Sequence, residues 1–107
     1  SVFRNIEVDN ASLPFILQVA NGKYTEHIRF TAIGRLAQAG YKEESIPLLA
    51  GMVMNGKDRA NRYNCLRMLW QFGDERAKQE VTKAKAIPEL QEAASNFLST
   101  WIGRCPE

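Results

Sequence analysis

Apolar residues recur every three or four positions along most of the chain, and short polar segments with glycine, proline, serine or aspartate separate these stretches. This spacing is typical of amphipathic helices, in which one apolar stripe faces the core. The pattern therefore predicts an all-α protein. The predicted helices cover residues 13–20, 25–39, 46–54, 59–72, 75–85 and 88–102.

Part of this pattern occurs twice. The stretch SLPFILQVANGK begins at Ser12, and the similar stretch SIPLLAGMVMNGK begins 33 positions later at Ser45. The same offset relates Leu36 to Leu69 in a separate, leucine-rich segment. Two kinds of helix, one led by proline and one rich in leucine, therefore recur together. A repeat of two antiparallel helices with a period near 33 residues is typical of an α-solenoid.

The leucine-rich helices have clear start and stop signals. Thr25 and Asp58 suit the N-cap, because a short side-chain oxygen can accept an unpaired amide of the first turn. Gly40 and Gly73 suit the position after the helix, where a left-handed backbone is common. The apolar positions that we expect to face the core are Ile28, Ala32, Leu36, Tyr63, Leu66, Leu69 and Trp70.

The proline-led helices are predicted to begin at Ser12 and Ser45, with proline in the first turn, where a missing N–H costs nothing. An Asn-Gly pair ends each of these two copies. A third and more polar copy follows Asp74, which suits its N-cap, and has Ala77 and Val81 as apolar anchors.

The ends of the chain continue the pattern. At the offset of 33, Phe3 and Ile6 correspond to Leu36 and Ala39, which predicts the last turns of an earlier leucine-rich helix. The final predicted helix is opened by Pro88, lined by Leu90, Ala94, Phe97, Leu98 and Trp101, and closed by Gly103.

The segment LWQFGDERAKQEV, from Leu69 to Val81, resembles the HEAT-repeat pattern, in which a leucine-rich helix meets a Gly-Asp turn and a helix with alanine and an aliphatic residue four positions apart. The segment LAQAGYKEESIPLL, from Leu36 to Leu49, is similar but has Tyr41 in place of the turn aspartate. The resemblance implies a short right-handed α-solenoid of about three helical hairpins, with the whole chain as a single domain. It also implies a binding surface, because HEAT-like units serve mainly as binding surfaces in many unrelated systems.

Composition narrows the class of protein. Of the 107 residues, 45% are hydrophobic and 24% are charged, which is ordinary for a soluble globular protein. The formal net charge of +2 comes from 14 basic and 12 acidic residues, with no run of five or six like charges that could form a basic tail. Lys78, Lys83 and Lys85 share their helix with Glu75 and Glu80, so we expect no nucleic-acid binding. No apolar run approaches the roughly 20 residues of a membrane helix, so we expect no membrane segment.

The titratable side chains indicate no catalytic or metal centre. His27, the one histidine, could act as a base for Thr31 one turn further on, but no third residue is placed to orient such a pair. We interpret His27 as a solvated residue at a helix start. Cys65, Cys105 and His27 lack the close spacing of zinc ligands, and no phosphate-binding glycine pattern is present. We expect neither a cofactor nor a metal, and no enzymatic activity.

The two cysteines leave two alternatives open, which are one disulfide bond or two free thiols. Cys65 aligns with Ala32, a predicted core position, so we expect it to be buried. The offset of 33 places Leu98 beside Cys65, which leaves Cys105 about two helical turns away. A bond between Cys65 and Cys105 therefore requires the tail after Gly103 to fold back.

A surface for a protein partner is the functional site that we expect. In HEAT-like stacks the second helix of each hairpin lines the concave side and the turns line one rim, so the resemblance implies candidates of both kinds. Tyr41 and Arg76 are the strongest, because aromatic and arginine side chains carry much of the binding energy of interfaces. The concave candidates are Gln18, Gly51, Met54 and Lys78, and the rim candidates are Tyr41, Lys42, Glu43, Asp74, Glu75 and Arg76.

We therefore expect a non-catalytic protein-binding module. The chain is similar in size, helix content, missing N-terminal methionine and cysteine pair to small helical immunity proteins that block type VI secreted peptidoglycan amidases. That resemblance implies a periplasmic inhibitor that fills the amidase cleft and excludes the peptide substrate. The alternative is a scaffold fragment of a longer cytoplasmic HEAT or armadillo-like adaptor, and the sequence also leaves a homodimer open.

Overall fold

The computed structural model describes residues 8–101, and all regular secondary structure within them is helical. The all-α prediction is therefore confirmed. The predicted earlier helix with Phe3 and Ile6, and the predicted helix end at Gly103, lie outside the described residues. The elements are α1 (Leu13–Asn21), α2 (Glu26–Gln38), α3 (Lys42–Asn55), α4 (Arg59–Phe72), α5 (Glu75–Ala84), a 3₁₀ helix (Pro88–Leu90) and α6 (Gln91–Ser99).

The leucine-rich helices α2 and α4 begin as the sequence predicts. The Thr25 hydroxyl accepts a hydrogen bond from the amide of Ile28 at 3.4 Å, and the Asp58 carboxylate accepts one from the amide of Asn61 at 3.1 Å. Both N-cap predictions are confirmed. These bonds satisfy one of the amides that the first turn of each helix leaves unpaired.

The predicted glycine stop signals are also confirmed, since Gly40 has a φ of 86° and Gly73 a φ of 70°. After α2 the chain forms a Schellman motif, in which the Tyr41 amide donates to the Leu36 carbonyl at 3.0 Å and the Gly40 amide donates to the Ala37 carbonyl at 3.1 Å. Only glycine adopts this left-handed conformation without strain, which is why the residue recurs there.

Helix α3 begins at Lys42 and not at the predicted residue 46, so the prediction of Ser45 as an N-cap is wrong. The Tyr41 carbonyl already accepts the amide of Ser45 at 2.9 Å, and Pro47 lies inside the helix. Pro47 cannot donate to the carbonyl of Glu43 and its ring crowds that carbonyl, so α3 continues through Pro47 without one of its helical bonds. The acidic first turn, which includes Glu43, favours the earlier start through the helix dipole.

Helix α1 starts where the sequence predicts, with Pro14 in its first turn, but Ser12 makes no side-chain cap. Asp9 takes that role one turn earlier. Its carboxylate accepts the amides of Ser12 at 2.9 Å and Ala11 at 3.1 Å, and the Ser12 hydroxyl accepts the amide of Asp9 at 2.9 Å. This reciprocal arrangement is that of a capping box.

The single helix predicted for residues 88–102 is wrong in two respects. It opens as a separate 3₁₀ helix, because Leu90, with a φ of −112° and a ψ of −2°, breaks the helical backbone before α6. It also ends at Ser99, after which the amide of Trp101 donates to the Leu98 carbonyl at 3.1 Å in a tighter turn. Trp101 is only 1% exposed, so it belongs to the core without being helical.

The chain divides into two compact units, one ending at Leu48 and the other beginning at Leu49. In the first unit α1 packs against α2, and in the second α4, α5 and α6 pack against one another. The single domain expected over residues 1–107 stays a prediction. No helix within residues 8–101 combines the length and apolar character of a membrane span.

Buried positions repeat with the offset that the sequence predicts. Each buried residue of one copy has a buried counterpart 33 positions later, so the two copies present the same faces to the core. Ile28 and Tyr63 are exceptions among the predicted core residues, because they are 39% and 42% exposed. The matched buried pairs are Ile16 and Leu49, Val19 and Met52, Ala20 and Val53, Ala32 and Cys65, Ile33 and Leu66, and Leu36 and Leu69.

Candidate binding groove

A groove of about 580 Å³ lies in the second unit, between the first turns of α4 and the segment formed by the 3₁₀ helix and α6. Its volume is within the range of ligand-binding clefts in proteins. Helix α4 contributes Arg59, Ala60 and Tyr63 to the lining. Arg59 and Tyr63 are four positions apart and therefore share one face of the helix. Tyr63 is 42% exposed, so its ring forms an open part of the wall.

The opposite wall combines acidic and amide side chains over small apolar residues. Glu92, Ala93 and Asn96 come from α6, while Glu89 and Leu90 come from the 3₁₀ helix. Leu90 is buried and Ala93 is partly buried, whereas the three polar side chains are exposed. With Ala60 on α4 and Ala93 on α6, both helices offer the groove a side chain no larger than a methyl group.

Arg62 anchors one edge of the groove. Its Nη1 donates to Glu89 Oε1 at 2.8 Å, and its Nε donates to the Val53 carbonyl at 2.8 Å. The Arg62 side chain is only 13% exposed and its bond to the Val53 carbonyl is partly buried, whereas the bond to Glu89, which is 42% exposed, is open to water. Charge-assisted bonds of this kind are stronger than neutral ones. Arg62 therefore ties the end of α3 to α4 and to the 3₁₀ helix, and it holds the Glu89 carboxylate in place.

Gly56 leaves the space through which the Arg62 side chain passes. A Cβ at Gly56 would lie 2.6 Å from the Met52 carbonyl oxygen and 3.0 Å from Arg62 Cγ. The Gly56 amide itself donates to the same Met52 carbonyl at 2.8 Å. The Asn-Gly pair that ends α3 is thus required by close packing at the glycine, without a left-handed backbone.

Three aromatic rings, of which Tyr63 also lines the groove, pack α4 against α6. The Phe97 ring lies 5.8 Å from the Tyr63 ring and 5.3 Å from the Trp70 ring, centroid to centroid, with tilted planes in both cases. The Trp70 Nε1 donates to the Thr100 hydroxyl at 3.0 Å. Tilted pairs at these distances are favourable arrangements. Because early residues of α4 meet early residues of α6, and late residues meet late ones, the two helices run in the same direction.

Two side chains of opposite charge line the groove and have no partner among residues 8–101. Arg59 stands on the α4 wall and Glu92 on the α6 wall, and neither makes an ion pair or side-chain hydrogen bond within the part of the chain that the structure describes. Glu89 differs from Glu92, because Arg62 already neutralises its charge. The groove therefore offers one available cation and one available anion on opposite walls.

The predicted partner-binding residues lie elsewhere, in two sets that belong to different units. In the first unit, Tyr41 precedes α3, Lys42 and Glu43 form its first turn, and Gln18 is exposed on α1. In the second unit, the set clusters at the start of α5, where the Asp74 carboxylate accepts the amide of Ala77 at 2.9 Å and so caps the helix. The other members of this second set are Glu75, Arg76 and Lys78.

The remaining residues considered in the sequence analysis are the pair His27 and Thr31 and the two cysteines. The Thr31 hydroxyl donates to the backbone carbonyl of His27 at 2.9 Å and not to the imidazole. Cys65 is fully buried on α4, as expected, while Cys105 lies outside the described residues, so the bond between them stays a prediction. Among residues 8–101, no three His, Cys, Asp or Glu side chains are grouped so that they could hold a metal ion.

Sequence reasoning missed the groove because it assigned Tyr63 to the core on helical spacing alone. No local signal marks the groove, because the pairs Arg59 with Tyr63 and Glu92 with Asn96, each four positions apart at the start of a helix, belong to two different helices. Compared with family models, curated proteins and solved structures, the chain matches none.

Proposed function

We propose that this chain is a non-catalytic protein-binding module and that the groove between α4 and α6 is its contact surface. The observation that carries the proposal is the half-exposed Tyr63 on one wall of an open groove, beside Arg59, which makes no ion pair with any described residue. Tyrosine and arginine are enriched at the energetic centres of protein interfaces. Most large apolar side chains of this unit are buried, so an exposed aromatic ring in a concavity is a favourable contact point.

The proposal includes a short right-handed α-solenoid of HEAT-like hairpins. Its support comes from the second unit, where α4 and α6 run in the same direction and α5 packs against both. The offset of 33 residues between buried positions adds to this support. In such an array each hairpin completes its core against its neighbours, and the helix faces that remain open serve for binding.

The narrower form of the proposal is a periplasmic immunity protein that sterically blocks a cognate toxin such as a type VI secreted peptidoglycan amidase. It rests on similarity of type in size and helix content. In this form too the groove is the contact surface, and the predicted rim, which has Arg76 as its exposed arginine, is the alternative. The alternative is a scaffold segment of a longer cytoplasmic adaptor.

Affinity capture with three baits tests the function and its surface together. The baits are the unmodified chain, Arg59→Glu in the groove and Arg76→Glu on the predicted rim, used under non-reducing conditions with mass spectrometry of the eluates. Arg76 is a matched control, because both arginines are exposed in the first turn of a helix. We expect one stoichiometric partner that is lost with Arg59→Glu and retained with Arg76→Glu.

The other outcomes separate the alternatives. Failure to capture any reproducible partner would count against the binding function, and loss with Arg76→Glu alone would place the contact on the rim. An amidase whose hydrolysis of peptidoglycan stops on addition of one equivalent of the chain would support the immunity protein. Capture of a cytoplasmic assembly would support the scaffold segment.

A further inference from the structure

The length of the groove restricts what can occupy it. On the α6 side its lining runs from Glu89 to Asn96, and on the α4 side from Arg59 to Tyr63. At about 1.5 Å per residue the longer wall measures roughly 10 Å, which is close to two turns of an α-helix. The occupant is therefore a short segment, and not a broad face of a second protein.

The polar groups of the walls favour a helical occupant over an extended one. An extended peptide brings unpaired backbone N–H and C=O groups that need partners in the groove. Only the Asn96 amide and the Tyr63 hydroxyl are neutral side-chain groups of the lining that could supply them. A helix satisfies its own backbone bonds and needs only apolar contact, and the small side chains of Ala60 and Ala93 provide it while allowing close approach.

The charges of the groove give the occupant a direction. Arg59 is the first residue of α4, where the positive end of the helix dipole reinforces its charge, so an acidic group is favoured at that wall. Glu92 on the opposite wall has no cation of its own in the described residues and favours a basic group. Charge complementarity of this kind fixes register and excludes wrong partners.

We propose that the groove binds about two turns of an amphipathic helix from a partner protein, with its apolar stripe over Ala60 and Ala93. An acidic residue on one flank of that helix pairs with Arg59, and a basic residue on the other flank pairs with Glu92. This inference rests on the proposed protein-binding function and specifies the chemistry of the partner. Tyr63 covers the apolar stripe from the side and supplies most of the aromatic contact area.

A displayed library of helical peptides tests the groove directly. Each peptide carries a fixed apolar stripe, and its flank positions are randomised among aspartate, lysine and alanine. Selection on the intact chain is expected to enrich an acidic residue on one flank and a basic residue on the other. Fluorescence anisotropy should then show that Arg59→Glu and Glu92→Lys each weaken the selected peptide by about tenfold or more. Arg67→Glu, at an exposed residue of α4 outside the groove lining, is the control and should leave the affinity within about twofold.

The double variant Arg59→Glu with Glu92→Lys gives the decisive comparison, because it should select the mirrored arrangement of flanking charges. Circular dichroism verifies that each variant remains helical, which is expected since both side chains are exposed. Selection without a flank preference, or enrichment of the same peptides by the double variant, would overturn the inference. So would a selection from which no helical peptide emerges.

The two proposals fail in different ways. A captured protein partner whose affinity is unchanged by both charge reversals would overturn the groove assignment and leave the protein-binding function standing. The absence of a captured partner counts against the function, whereas the peptide selection reports on the groove itself.

Discussion

Helices α2 and α4 are two copies of one sequence element, and they share their start signal, their stop signal and the register of their buried residues. Each begins at a side-chain N-cap, Thr25 or Asp58, and each ends at a glycine with positive φ. Their buried residues lie at the same register, with a leucine in each at 0% exposure. The features that recur are the ones that a single helix needs for itself, namely caps, a stop signal and one apolar face.

The two copies differ in what their arginine does. Arg29 and Arg62 occupy the same register, but Arg29 Nε donates to the nearby Tyr24 carbonyl at 3.1 Å, whereas Arg62 bonds both the Val53 carbonyl and Glu89. The same side-chain type thus makes one local hydrogen bond in the first copy and links three segments in the second. A repeat in sequence therefore specifies the helix, while the role of an outward-facing residue depends on which elements lie next to it.

The largest expected effect tests whether the two cores are equivalent. Leu36→Ala and Leu69→Ala should each cost about 2–5 kcal/mol of unfolding free energy, because both leucines are fully buried and truncation leaves a cavity. Urea denaturation monitored by circular dichroism measures both. Gln38→Ala, on the exposed face of α2, is the control and should be nearly neutral. A neutral Leu69→Ala would mean that the assigned register is wrong.

The next effect tests the difference between the arginines. Arg62→Met should cost about 1–3 kcal/mol, because it removes a partly buried charge-assisted bond to the Val53 carbonyl and the partner of Glu89. Arg29→Met should cost less, since it removes one bond at the exposed start of α2. A double-mutant cycle with Glu89→Gln isolates the ion pair in chemical denaturation. Equal costs for both arginines would show that Arg62 does not act as a tie.

The sequence predicts those parts of the fold that depend on local signals. The N-caps Thr25 and Asp58 and the stop glycines could be found because each satisfies a need of its own helix. The start of α3 could not, because two features compete there. Pro47 is typical of a first helical turn and so suggests a later start. The Tyr41 carbonyl and an acidic first turn nevertheless start the helix at Lys42, and the one helical hydrogen bond that Pro47 cannot donate does not prevent this.

The groove could not be predicted because it belongs to two helices at once. Tyr63 has the spacing of a core residue, and only the packing of α6 leaves its ring half exposed. Arg59 and Glu92 are more than thirty positions apart, so no local pattern shows that they face one another across a groove. Local sequence signals specify the walls separately, and the site exists only where the walls meet.

The repeat aligns Ser12 with Ser45, but replacing each by alanine should change the unfolding free energy in opposite directions. Both changes should be smaller than those above. Ser45 Oγ is fully buried and has no hydrogen-bond partner within the described residues, whereas the Ser12 hydroxyl accepts the amide of Asp9. Ser45→Ala should therefore raise the unfolding free energy by about 1 kcal/mol, since it removes an unsatisfied buried hydroxyl. Ser12→Ala should lower it by about 1 kcal/mol, because it removes the acceptor of the Asp9 amide in the capping box. Thermal denaturation at fixed pH measures both, and a destabilising Ser45→Ala would indicate a hydrogen bond at that hydroxyl.

The smallest expected effect concerns the cap of α1 and depends on pH. The amide of Ser12, which donates to the carboxylate, lowers the pKa of Asp9 below its ordinary value of about 3.9. A carboxyl group with a lowered pKa stabilises the folded state at neutral pH, and this contribution is lost as the pH falls through the pKa of the folded state. The melting temperature of Asp9→Ala should therefore lie below that of the unmodified chain at neutral pH, and the gap should narrow in acid.

Asp9→Asn is the matched control for that titration, because its amide oxygen can still accept the Ser12 bond but cannot be protonated in this range. The gap between Asp9→Asn and Asp9→Ala should stay constant from neutral pH to well below pH 4. A gap between the unmodified chain and Asp9→Ala that does not narrow over the same range would contradict the capping role of the carboxylate. The α1 cap would then have to depend on the Ser12 hydroxyl alone, which Ser12→Ala tests independently. Of the two aligned segments, only the α1 copy should show this dependence on acid, because the Ser45 hydroxyl is buried and has no hydrogen-bond partner, a carboxylate included, within the described residues.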